Sequence, residues 1–96
     1  MKLDRNGYSQ NSILPTENCF ICGKGGDLAR HEVFPGRGNR AISKAEGLWT
    51  NLCPECHARV HQCGEDDEEL KRTFYQAYIK KYSREKFYKL FYRYYD

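Results

Sequence analysis

Two Cys-x-x-Cys pairs, Cys19 with Cys22 and Cys53 with Cys56, flank the thirty residues 23–52 of a 96-residue chain. Four thiolates at that spacing satisfy one tetrahedral zinc ion and close it to water. Any fold available to this chain therefore has to bring the two pairs together. The constraint weighs heavily because so short a chain buries only a modest core, and a metal staple commonly supplements one. A disulfide framework is the other use of many cysteines, but an odd count of five, the paired spacing and no export signal favour reduced, metal-bound thiolates. Cys63 is the spare and is expected to be an ordinary thiol.

The remaining composition, 40% hydrophobic and 30% charged, suits one folded domain. No apolar run approaches the ~20 residues of a membrane span, and MKLDRNGYSQ lacks the apolar stretch of a signal peptide. A cytoplasmic protein with no membrane partner is the expectation.

Residues 1–17 lack periodicity and read as an irregular arm. Residues 28–34 suit a strand ending at Pro35 and Gly36. The spacing of Ser43 and Glu46 predicts a capping box that opens a short helix stopped by Gly47. Leu48, Trp49 and Leu52 form a buried strand into the second cysteine pair, and helix begins near Pro54 and runs through His61. Leu70, Phe74, Ala77 and Tyr78 recur at helical steps within residues 67–81, and Ser83 caps a last helix whose stripe is Phe87, Leu90, Phe91 and Tyr94. Both aromatic stripes are expected to be core, with base stacking as the competing use.

Charge is segregated. Residues 65–69 are all acidic, as suits a helix N-terminus, whereas residues 71–96 hold eight Lys or Arg against two acids. Lys80, Lys81, Arg84, Lys86, Lys89 and Arg93 are candidate phosphate contacts, and the loop GRGNR adds Arg37 and Arg40.

His57 and His61 stand four apart on the predicted helix, so their rings leave one face and can share an ion. With His31 on the strand nearby, three imidazoles around one divalent ion leave coordination positions open, as catalysis requires. A structural zinc with four thiolates and a second, catalytic metal with three imidazoles together use all seven ligands. The second ion is of unknown identity, with Mg, Mn, Ni and Zn as candidates.

The order CxxC, a strand bearing His31, a loop, then CxxCH with a further helical histidine resembles the HNH endonucleases of the ββα-metal or His-Me finger group. HEVFPGRGNRAISKAEGLWTNLCPECHARVH is similar to small HNH proteins of bacteriophages and prophages, which also carry a segment resembling KKYSREKFYKLFYRYY. The resemblance implies an α+β fold, a zinc-stapled ββα-metal, treble-clef-like finger over residues 18–64. The arm 1–17 precedes it, and a basic, aromatic-rich helical extension over 65–96 completes the same domain. It further implies metal-assisted hydrolysis of DNA, as an endonuclease or nickase, in a bacterial host cell. His31, His57 and His61 are then the metal ligands, and Glu32 occupies the usual place of the general-base histidine, leaving Glu32 or His31 as the catalytic base. Leu48 stands where the family has its asparagine, with Asn39 and Asn51 nearby. Two other functions fit the same residues: a noncatalytic zinc-stabilised nucleic-acid-binding module, and a protein-interaction module using the tyrosine-rich helices. Oligomeric state is not encoded in any motif.

Overall fold

A computed structural model describes residues 3–95. The chain is a small α+β structure with a two-stranded sheet and four helices among those residues: β1 (Ala29–Glu32), α1 (Asn39–Ala45), β2 (Trp49–Leu52), α2 (Pro54–Gln62), α3 (Gly64–Lys81) and α4 (Arg84–Phe91). None of the described helices is long and apolar enough to cross a membrane.

The strands pair antiparallel with His31 opposite Thr50 and Glu32 opposite Trp49. β1 ends at Glu32, short of the expected run 28–34; Val33 N still donates to the Leu48 carbonyl, and Val33 and Phe34 both turn into the core. Ser43 is the larger departure. It does not cap a helix; it lies inside α1, which begins four residues earlier at Asn39. Its fully buried hydroxyl accepts from Phe34 N at 3.2 Å and donates to the Leu48 carbonyl. A short polar side chain is used here to tie the exit of β1 to the approach of β2. Glu46, the expected partner in the capping box, accepts instead from the Tyr78 hydroxyl at 2.9 Å, joining α1 to α3. Gly47 does stop the helix: its φ of +78° suits only glycine, and a Cβ there would come within 3.1 to 3.3 Å of Ile13 and the Asn11 carbonyl.

Pro54 opens α2 and Cys53 precedes it as the N-cap residue. α3 follows after Cys63 alone and starts at Gly64, three residues before the expected Asp67, so Glu65, Asp66 and Asp67 all fall in its first turn. There they complement the helix dipole, and Asp66 meets Arg59 of α2 at 2.8 Å. Ser83 caps α4 as expected, accepting from Lys86 N at 3.0 Å.

The core joins the sheet, the cysteines and the last two helices. Phe34 packs on Phe87, Phe91 and Tyr95 with ring centroids 5.3, 4.9 and 5.1 Å away, and Tyr75 meets Phe87 edge-on at 4.7 Å. Tyr94, expected in this stripe, faces solvent. α4 ends at Phe91 and Tyr92 turns left-handed (φ 59°), which shifts the register and carries Tyr95 inward.

The arm is irregular but closely docked. Ser9 N donates to the Lys44 carbonyl, Ile13 N to the Gly47 carbonyl, Trp49 Nε1 to Ser9 Oγ and Asn51 Nδ2 to the Thr16 carbonyl. Tyr8 and Ser12 are buried.

Candidate functional site

Gly23, with φ +79°, turns the first knuckle so that its N–H donates to the Cys19 carbonyl, and Phe20 N reaches the Asn51 carbonyl of β2. This fastens the first cysteine pair beside the strand that ends in the second. The four sulfurs lie within 4.8 Å of one another, and Cys22 Sγ and Cys53 Sγ are 3.7 Å apart. That separation is far beyond a disulfide, while zinc–sulfur bonds of ~2.3 Å in a tetrahedron put sulfurs about 3.8 Å apart. The cluster could hold a structural metal such as zinc. Burial and the neighbouring thiols push Cys56 up to about 12, whereas against burial the backbone amides of the knuckle hold Cys19 down at about 6. Cys63 lies half-buried outside the cluster.

His31, His57 and His61 form the second group, with ligand nitrogens again within 4.8 Å of one another. Their ring centroids are 4.8 to 5.6 Å apart. The one-turn spacing on α2 puts His57 Nε2 and His61 Nε2 3.2 Å apart, close to the ~3.3 Å that two nitrogens adopt on one tetrahedral ion. His31 is buried, and its Nε2 has no hydrogen-bond partner. A buried, unsatisfied ring nitrogen costs folding energy unless something coordinates it. Burial, followed by the charges of His57 and His61, pushes its pKa down to about 4, and burial lowers that of His57 too. Burial thus favours the neutral, lone-pair-bearing form of His31 and His57. The donor set fits a divalent metal.

Consecutive strand residues leave opposite faces of a sheet. His31 turns to α2, whereas Glu32 turns to the arm and the loop. Tyr8 donates its hydroxyl to Glu32 Oε2 at 3.1 Å, and Arg40 Nε lies 3.4 Å from Oε1. Glu32 is accordingly not a member of the imidazole group, although its charge reaches His31 and His57 and opposes the lowering of both. Tyr8 is fixed in turn. Its ring meets Trp49 edge-on at 5.6 Å beneath the Arg30 guanidinium, 4.7 Å away, and Asp4 binds both Arg30 and the Tyr8 amide. Burial first, then the charge and hydrogen bond of Glu32, raises the Tyr8 pKa to about 12, so the phenol remains a donor.

Arg37, Arg40 and Lys44 line an open cleft of about 640 Å³ between the loop and the arm residues Leu3, Asn6 and Gly7. Arg37 and Arg40 are exposed, as are Lys80, Lys81, Arg84, Lys86, Lys89 and Arg93 at the other end of the chain. α4 packs on α1 and on Phe34, which lead into and out of the arginine loop. Asn51 is committed to the arm through Thr16, and Asn39 opens α1. Sequence reasoning missed Tyr8, which sits in a stretch with no pattern to mark it. It also missed Thr50, whose buried hydroxyl lacks a partner opposite His31 and becomes visible only in the strand register. Set against known proteins, the chain matches no family model, no curated protein and no solved structure.

Proposed function

We propose that the chain is a metal-dependent endonuclease or nickase that hydrolyses phosphodiester bonds of DNA on a treble-clef-like ββα-metal finger. The observation that carries the reading is the unsatisfied, buried His31 Nε2 beside the paired Nε2 atoms of His57 and His61. Three imidazoles make an open site, which a structural role does not require when four thiolates already supply a closed one.

A divalent ion held by His31, His57 and His61 would supply Lewis acidity at a phosphate oxygen. Glu32 is the general base: its carboxylate takes the proton of the attacking water as the water oxygen bonds to phosphorus and the bond to the leaving sugar oxygen breaks. His31 is spent as a ligand. Tyr8 and Arg40 hold the Glu32 carboxylate, and Arg37 and Arg40 face the phosphate charge from the cleft. The tail cations extend the contact along the backbone.

In single-turnover cleavage, Glu32→Ala is expected to lose roughly 100-fold in rate, the usual size of a general-base contribution, with metal content unchanged. Glu32→His should recover part of the loss. Tyr8→Phe keeps the ring on Trp49 but removes the donor, and is expected to slow cleavage about 10-fold, the worth of one hydrogen bond to a charged group. Wild-type rates in Glu32→Ala would move the base elsewhere.

A further inference from the structure

The two tyrosine-rich helices separate in the structure into rings that build the core and rings that do not. Tyr75, Tyr78, Phe87 and Phe91 are buried. Tyr82, Tyr88, Tyr92 and Tyr94 are not, and they make up four of the six exposed large hydrophobic side chains among the described residues. All four lie on α4 or at its ends. Isolated exposed tyrosines are unremarkable, but Tyr88, Tyr92 and Tyr94 are contiguous. Tyr88 stacks on Tyr94 with centroids 4.9 Å apart and planes 26° from parallel, and Tyr92 meets Tyr88 at 6.1 Å.

Cations are interleaved with the rings. Lys86 Nζ lies 3.9 Å from the Tyr82 centroid, and the Arg84 guanidinium 3.6 Å from that of Tyr94. Between residues 80 and 93 there are six Lys or Arg and a single acid, Glu85. Tyr92 adds a further sign. It adopts φ 59°, a left-handed conformation that normally falls to glycine or asparagine after a helix, yet its ring is 76% exposed and gains little from packing.

We infer that this face of α4 binds unpaired nucleotides, its rings stacking bases while the interleaved cations meet the phosphates between them. Charge complementarity selects the occupant. Protein interfaces are depleted in lysine, so a lysine-rich face fits a polyanion better than another protein. A duplex offers its phosphates outward but keeps its bases stacked inside, which would leave the rings without partners. A single strand uses both components at once. The inference rests on the nucleic-acid reading for its class of partner and adds that the DNA substrate carries a single-stranded segment. Because α4 packs on α1 and Phe34, such a segment would lie on the element adjoining the arginine loop.

The test is fluorescence anisotropy of the zinc-loaded full chain with a labelled single strand of about 12 nucleotides and with the blunt duplex of the same sequence, without added divalent metal so that nothing is cut. The single strand is expected to bind about 10-fold more tightly. Tyr92→Ala and the double variant Tyr88→Ala/Tyr94→Ala should each lose about 10-fold or more of that affinity, consistent with base–aromatic stacking, while duplex affinity changes less than about twofold. Tyr92→Phe should retain the wild-type value. A 5-iodouracil-substituted strand should cross-link to one of these tyrosines. Equal affinity for the two nucleic acids, binding of neither, or folded alanine variants that keep full single-strand affinity would each overturn the inference. Single-strand preference without plasmid nicking would count against the enzyme alone, and nicking without that preference would count against this face alone.

Discussion

Cys53→Ala is expected to abolish the cooperative thermal transition, whereas Cys63→Ala should melt close to the wild-type temperature. Cys53 is buried at the junction of β2 and α2, and its sulfur stands 3.7 Å from Cys22, so its loss opens the thiolate site where it joins the strand to the helix. Structural zinc in small domains contributes about 10–16 kcal/mol, comparable with or larger than the ~5–15 kcal/mol that separates a folded domain from its unfolded chain. Few other terms in a 96-residue chain are of that size. Cys63 lies outside the cluster and serves as the control. Circular dichroism melts of the two variants, with bound zinc measured in each, make the comparison. A cooperative Cys53→Ala transition near the wild-type midpoint would show that the thiolate cluster is not what holds the sheet to α2.

His57→Ala/His61→Ala is expected to do the opposite: fold intact, cleavage reduced by at least about 1,000-fold. His61 is exposed and His57 half-buried, so truncating them removes little core packing. What they remove is two of three nitrogens around the candidate catalytic ion. Lewis-acid stabilisation is worth several kcal/mol, and each ~1.4 kcal/mol is tenfold in rate. His31→Ala is a poorer probe, because it also empties a buried position. Single-turnover rates alongside near-ultraviolet circular dichroism separate the effects. Loss of tertiary signal in the double variant would reassign the imidazoles to structure.

Local spacing accounts for what could be read directly from the residues. The positions of Cys19, Cys22, Cys53, Cys56, His57 and His61 are fixed by one knuckle turn or one helical turn, so a pattern in sequence is already a geometry in space. Ser83 likewise announces its helix because capping involves only the next three residues. Long-range ties are another matter. Ser43 has the spacing of a cap, but its hydroxyl was needed between Phe34 and Leu48, and a tertiary demand prevailed over a local preference. Tyr8 bonds Glu32 across 24 residues from an arm without periodicity. Tyr94 and Tyr95 exchanged roles through one left-handed residue, which helical periodicity cannot foresee. The side-by-side HE of residues 31 and 32 leaves ligand and base undivided in sequence; strand alternation separates them, turning the imidazole to α2 and the carboxylate to Tyr8 and Arg40.

In the proposed function, a labile imidazole-bound metal performs hydrolysis on a fold stapled by a tighter thiolate-bound one. The most direct test is plasmid nicking by the zinc-loaded chain with added magnesium, manganese or nickel, followed through a chelator titration with circular dichroism and metal content recorded at each step. Relaxed circles are expected that depend on the added ion and that disappear on mild chelation while the helical signal and one zinc per chain remain. No nicking with any ion by a folded, zinc-loaded chain, or loss of fold, activity and all metal in the same step, would contradict the proposed function.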